Sequence, residues 1–147
     1  MIAKRQDPCL FLYGSLLTGT PDRRLNKRVR RLLRHAQHAM IQARLYNIGR
    51  YPGVVPSLDT ADRVYGRLIT VSNPHLLKLL DRYEDAVIGQ PVAAEFVRVL
   101  IPAQLLPTRK RINCYVYVYN RDIIGKQRII SGDYVLHKKT RRKWSRP

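Results

Sequence analysis

Val64-Tyr65-Gly66-Arg67-Leu68-Ile69-Thr70-Val71-Ser72-Asn73-Pro74-His75-Leu76-Leu77-Lys78-Leu79-Leu80-Asp81-Arg82-Tyr83-Glu84-Asp85 holds the change of period on which the fold turns. Its first eight residues read as a strand, with Gly66 as a candidate bulge. Ser72 or Asn73 then caps a helix, and Pro74 suits the first helical position, where a missing N–H costs nothing. At about 100° per residue, Leu76, Leu77, Leu79, Leu80 and Tyr83 share one arc while Lys78, Asp81, Arg82 and Asp85 fill the other. Glu84 falls between Leu80 and Leu77, an acid at the end of the apolar stripe. At the margin of a core, desolvation raises a carboxylate's pKa and suits it to moving protons.

Outward from this strand-helix unit, the chain alternates strands with occasional helices. Cys9 to Tyr13 reads as a buried first strand entering the tight loop Tyr13-Gly14-Ser15-Leu16-Leu17. Glycine there lets backbone approach a ligand and turns amide N–H groups outward, although many such glycines are only turns. Thr20-Pro21-Asp22 reads as cap, first-turn proline and first-turn acid of a helix to about Arg34, with Leu25, Val29, Leu32, Leu33 and Ala36 on one face. Ala39, Ile41, Ala43 and Leu45 then alternate with polar or larger residues at a strand's period of two. The run from Gly49 to Pro56 carries two glycines and two prolines and reads as a rigid, aromatic-bearing loop of the kind that borders pockets.

Downstream, Phe96 to Ile101 is strand-like and Pro102 is expected to end it, with Leu105 to Arg111 as a hairpin loop. Cys114-Tyr115-Val116-Tyr117-Val118-Tyr119 is the cleanest strand, its tyrosines on one face. That face fits a half-buried sheet surface or a stacking platform for bases. Ser131-Gly132-Asp133 is a tight turn before a last amphipathic segment. Strands interrupted by helices indicate an α+β domain, its mixed or antiparallel sheet curled into a barrel.

The 147-residue length fits one domain. We place an extension at residues 1–8, the domain at 9–137 and a frayed basic tail at 138–147. Cys9 and Cys114 are too few for a disulfide framework or a zinc site and read as reduced core residues of a cytoplasmic protein. His35 and His38 have no carboxylate or cysteine nearby, so no metal is expected. No apolar run reaches the roughly 20 residues of a membrane span, and Asp7-Pro8 interrupts the only signal-like start.

Charge is the outlier: 28 Lys and Arg against 10 Asp and Glu, a net +18. Such a field attracts polyanions without dictating a fold. Arg23, Arg24, Lys27, Arg28, Arg30, Arg31 and Arg34 form the densest basic face. With the tail, it supports nucleic acid as an alternative partner, against the plainer reading of a solvated helix face in which no aromatics interleave.

Nucleophile elbows, phosphate loops, dinucleotide fingerprints and zinc-protease motifs are absent from the sequence. Both cysteines lie inside apolar strands, where thiols are usually inert. A reaction needing one carboxylate and a backbone cradle is what remains. Tyr13-Gly14-Ser15-Leu16, Gly49-Arg50-Tyr51-Pro52-Gly53, Val64-Tyr65-Gly66, Leu80-Asp81-Arg82-Tyr83-Glu84, Tyr117-Val118-Tyr119 and Ile130-Ser131-Gly132-Asp133-Tyr134 occur in that order. Together, across about residues 9 to 135, they resemble the gamma-glutamylcyclotransferase-like family.

The resemblance implies a compact β-barrel flanked by helices and an enzyme that converts a γ-glutamyl amine or amino acid into 5-oxoproline and a free amine. Glu84 would be its general acid and base, and the backbone of Tyr13, Gly14, Ser15 and Leu16 its substrate cradle. No cofactor is implied. The chain departs from the family pattern at Phe96, where many relatives have tyrosine, and at Asp85, where glycine is usual. Asp85 sets a second negative charge beside Glu84, which raises its pKa further if the side chain faces it and does nothing if it points away.

Overall fold

A computed structural model of the chain describes residues 7–84 and 94–144. Its elements in chain order are β1 (Cys9–Leu12), α1 (Ser15–Thr18), α2 (Arg23–Leu33), β2 (Gln37–Ile41), β3 (Ala43–Asn47), β4 (Pro52–Pro56), β5 (Val64–Thr70), α3 (Pro74–Tyr83), β6 (Phe96–Leu105), β7 (Arg111–Tyr119), β8 (Gln127–Arg128) and α4 (Tyr134–Trp144). Strands β1, β5, β2, β6 and β7 pair in that order, and a parallel contact between Leu10 and Tyr115 closes them into a five-stranded barrel. The remaining strands extend from β7 as β4, β3 and β8. The domain is therefore α+β with a barrel at its centre.

The alternation read between Ala39 and Leu45 sends Ala39, Ile41, Ala43 and Leu45 into the interior, where Phe11, Val64, Leu68, Cys114 and Val116 meet them. A second apolar layer lies between the barrel and α1, α2 and α3, built from Leu10, Leu12, Leu16, Leu25, Val29, Leu76 and Leu80 among others. The one-sided pattern of the helices is what allows this: each lays an apolar stripe on the barrel. Arg67 donates to the carbonyl of Leu33, the last residue of α2, at 3.4 Å and to that of Ala36 just beyond it at 3.1 Å, which ties the end of the helix to β5. Arg23, Arg24, Lys27, Arg30, Arg31 and Arg34 remain exposed, and Arg28 is half-buried.

Several local expectations change in three dimensions. The cap of α2 is Asp22, whose carboxylate accepts from Arg24 and Leu25 N–H, while Thr20 braces that cap through Asn26. Residues 52–56 form a strand despite their prolines, because β3 pairs with them along one edge and β7 meets Val54 along the other. Pro102 does not end β6. The N–H of Leu105 points across the hairpin to Lys110, so by alternation Pro102 faces the opposite edge, just beyond the last residue paired to β2. Gly66 is not a bulge: its register with β2 is continuous, and a Cβ there would come within 2.2 Å of the Leu12 carbonyl oxygen.

At the C-terminal end, helix α4 runs through the boundary drawn at residue 137 and includes residues 138–144. Residues 1–6 and 145–147 of the two expected extensions, and Asp85, lie outside the described residues. Among the described residues, no helix is long and apolar enough to cross a membrane.

Candidate active site

The far edge of β7 is shared by two strands. β1 meets it at Tyr115 and β4 at Val118, and both run parallel to it. Between these two points the chain after β1 turns away as Tyr13-Gly14-Ser15-Leu16 and the chain before β4 arrives as Tyr51-Pro52. A cleft of about 310 Å³, partly open to solvent, opens at that seam with Tyr117 in its wall. Tyr13, Gly14, Ser15, Leu16 and Glu84 all line it. The five residues singled out in the sequence thus converge, although Glu84 is 68 or more positions from the loop.

Gly14 is required by close approach. A Cβ at this position would fall 2.8 Å from Cγ of Pro52, so any side chain would push the loop away from β4. Gly14 precedes the single turn of α1, no side chain caps that turn, and Leu17 N–H donates to the Gly14 carbonyl at 2.9 Å. Tyr13 presents its ring and backbone only: its hydroxyl donates to the Tyr117 carbonyl at 2.6 Å, and burial raises its pKa. The Ser15 and Tyr83 hydroxyls lie 3.1 Å apart, a direct tie between the loop and the residue preceding Glu84.

The start of α3 is as the sequence marks it: the Asn73 side chain accepts from His75 N–H at 2.9 Å and Pro74 opens the helix. Glu84 is its C-cap, and its N–H reaches Leu80 O. Burial pushes the Glu84 carboxyl up to about 7, with the negative charge of Glu95 as the second cause. Among the described residues no cation pairs with it. The arginine that might have neutralised it is spent on Asp81: Arg98 Nε lies 2.9 Å from Asp81 Oδ1, as an ion contact without hydrogen-bond alignment. The Tyr117 hydroxyl donates to the same oxygen at 2.7 Å. Asp81 therefore faces the barrel and not the solvent arc to which its helical position assigned it.

Glu95 was not legible as a site residue. It accepts a hydrogen bond from the Tyr51 hydroxyl, faces Arg121 at 4.0 Å, and repels the charged form of Glu84. Burial and this bond push Tyr51 up to about 12, so it stays a donor at neutral pH. Its only sequence signal was the aromatic loop around Tyr51, which does border the cleft. Phe96 is buried and packs between Tyr51 and Tyr119, with ring centroids 5.9 and 5.6 Å away, so it supports Tyr51 from behind and does not itself line the cleft. Tyr117 and Tyr119 are buried under the outer layer, so their faces offer no stacking platform to a base. Among the described residues, no group of three or more His, Cys, Asp or Glu side chains is placed to hold a metal ion.

Comparison with known proteins places residues 10–136 within the family model for gamma-glutamyl cyclotransferase, AIG2-like. The gamma-glutamylcyclotransferase family protein ytfP of Citrobacter rodentium is 28% identical over 126 residues, which cover 86% of this chain and 94% of that one. Among solved structures, the AIG2-like protein of Mus musculus superposes with a TM-score of 0.61 at 20% identity, covering 88% of this chain and 89% of that one. YkqA from Bacillus subtilis gives a TM-score of 0.63 at 18% identity, and this chain, 93% covered, spans 43% of its length. The last two likenesses establish the fold.

Proposed function

The chain belongs to the gamma-glutamyl cyclotransferase, AIG2-like family, and from that membership we propose that it releases 5-oxoproline and a free amine from a γ-glutamyl amine or γ-glutamyl amino acid. The observation that carries this reading is Glu84: a carboxyl with no cationic partner among the described residues, held near a pKa of 7, in one cleft with the Gly14 loop. A group half-ionised near neutrality can both take and return a proton in one turnover.

In the proposed reaction the substrate's α-ammonium gives a proton to Glu84, and the freed amine attacks the γ-carbonyl carbon. A carbon–nitrogen bond closes the five-membered ring and the carbonyl electron pair moves onto oxygen. The leaving nitrogen receives the proton back from Glu84 and the oxygen reforms its double bond as the amide bond breaks. The ring nitrogen, which still carries a second proton from the attacking amine, gives it to the ionised Glu84, from which the departing amine takes it as it leaves as an ammonium. Electrons and atoms balance without a redox partner or a protein nucleophile. The attack is intramolecular, so a folded substrate supplies much of the acceleration. Backbone amides of the loop of Tyr13, Gly14, Ser15 and Leu16 would hold the α-carboxylate or the developing oxyanion.

Release of 5-oxoproline from a panel of γ-glutamyl amines and amino acids tests the reading. Glu84→Gln should lower turnover by about 10²- to 10⁴-fold, and undiminished turnover in this variant would overturn the assignment. Fold integrity has its own readout. A carboxyl whose pKa is raised from 4.5 to about 7 destabilises the folded chain where it is ionised. Glu84→Gln should therefore be the more stable protein at pH 8, by on the order of 3 kcal/mol, with the difference vanishing below the unfolded pKa.

A further inference from the structure

The outward face of β5, β2, β6 and β7 carries a trough that the proposed chemistry does not use. Register sets its floor: Tyr65 pairs with Met40, Met40 with Gln104, and Gln104 with Arg111, in one row across four strands. These side chains point out because Ala39, Ile41 and Ala103, their neighbours in sequence, point into the barrel. Three clefts follow this face and merge, since Met40, Arg63 and Gln104 line both the first and second, and Tyr65 both the second and third. The first two, of about 750 and 480 Å³ and open to solvent, are lined wholly by strand and loop residues.

Its chemistry is one-sided. Arg63, Arg109 and Arg111 stand along the trough, and none of the ion pairs among the described residues engages them. The two carboxylates present are already committed. Asp62 is held by Arg44 and Arg128, each at 2.6 Å, and Asp133 accepts from Leu136 N–H at 3.0 Å. Between the cations lie the half-buried Met40 and the Tyr65 ring, 36% exposed and so open to stacking. Guanidinium groups along a groove with an aromatic ring between them match a strand of phosphates carrying unpaired bases. A duplex offers no free base face to Tyr65, and a bilayer has no apolar protrusion here to receive, since the row that floors the trough includes Gln104 and Arg111.

We propose that this trough binds single-stranded nucleic acid, its phosphates on Arg63, Arg109 and Arg111 and a base on Tyr65. The site is separate from the cleft of Glu84, and the basic face of α2 would add only long-range attraction.

Fluorescence anisotropy of the full chain with labelled oligouridylate and oligothymidylate of about 12 nucleotides tests this. Binding should tighten as salt falls, and each of Arg63→Ala, Arg109→Ala and Arg111→Ala should make the logarithmic salt slope shallower by about 0.7. Tyr65→Ala should weaken binding about 5- to 100-fold while Tyr65→Phe keeps it. Unchanged melting temperature and 5-oxoproline release, where present, would separate lost binding from lost fold. The proposal is overturned by no binding at low salt, by equal affinity for duplex, or by capture of phosphatidylserine vesicles in place of oligonucleotide. It is equally overturned if Arg23, Lys27, Arg30 and Arg31 on α2 account for all binding and the trough variants change nothing.

Discussion

Asp81 and Glu84 sit three residues apart on α3 and meet opposite surroundings. Asp81 has Arg98 and the Tyr117 hydroxyl on one oxygen, whereas Glu84 has burial and the charge of Glu95. Asp81 thus serves to dock α3 on the barrel, while Glu84 is held in the cleft by burial and without a cation among the described residues. Glu95 makes the second of these testable. Replacing it by glutamine keeps an acceptor for Tyr51 and removes a negative charge, so Glu84 ionises more readily. The acid limb of kcat/KM, expected at about pH 7 in the parent, should move to lower pH in Glu95→Gln. A limb that stays in place in a folded variant would show that burial alone sets Glu84. The position of Glu84 at the edge of an apolar stripe was legible because helical periodicity is local. Its electrostatic neighbour was not, because Glu95 arrives from the start of another element.

At the scale of elements, α3 is anchored at both ends by different means. Asn73 and Pro74 define its start through contacts within a few residues, and these are readable from sequence alone. Its docking onto the barrel uses Leu76 and Leu80 and the Asp81–Arg98 contact, where the Arg98 side chain is 9% exposed and also lies 4.5 Å from the centroid of the Tyr115 ring. Asp81→Ala would strand that guanidinium in a buried place, and a loss of about 3–5 kcal/mol in urea unfolding is expected. Adding Arg98→Met should recover most of it, since an apolar replacement of both partners removes the uncompensated charge. Failure of the double variant to recover would mean that Arg98 contributes mainly through Tyr115. The β4 segment makes the converse point: Pro52, Gly53 and Pro56 signal a break locally, and two neighbouring strands override that signal.

The whole molecule is held by one further clasp. Asp62, 6% exposed, gathers Ser57 after β4, Arg44 of β3 and Arg128 of β8 onto the approach to β5. The Ser57 hydroxyl and then Arg44 hold its carboxyl well below the usual carboxylate range. A depressed carboxylate contributes stability that is present above its unfolded pKa and is lost as pH falls toward its folded one. The melting temperature of the parent should therefore fall below about pH 4 more steeply than that of Asp62→Asn, which should already be lower at pH 7. Parallel curves in that window would remove Asp62 from the account.

What the sequence determined by itself is the part of this protein that depends on near neighbours. That part comprises the alternation that turns Ala39, Ile41, Ala43 and Leu45 inward, the capped stripe of α3, the glycine loop after β1, and the single acid at the core margin. The tertiary structure alone decided which strands meet along β7, and therefore where the cleft opens. It also decided that Arg98 goes to Asp81, leaving Glu84 without a cation among the described residues, and that Tyr65 and three arginines share one outer face. Those outcomes depend on register between distant segments, where a shift of one residue reverses every side chain, and on desolvation, which exists only once the chain has closed around the group.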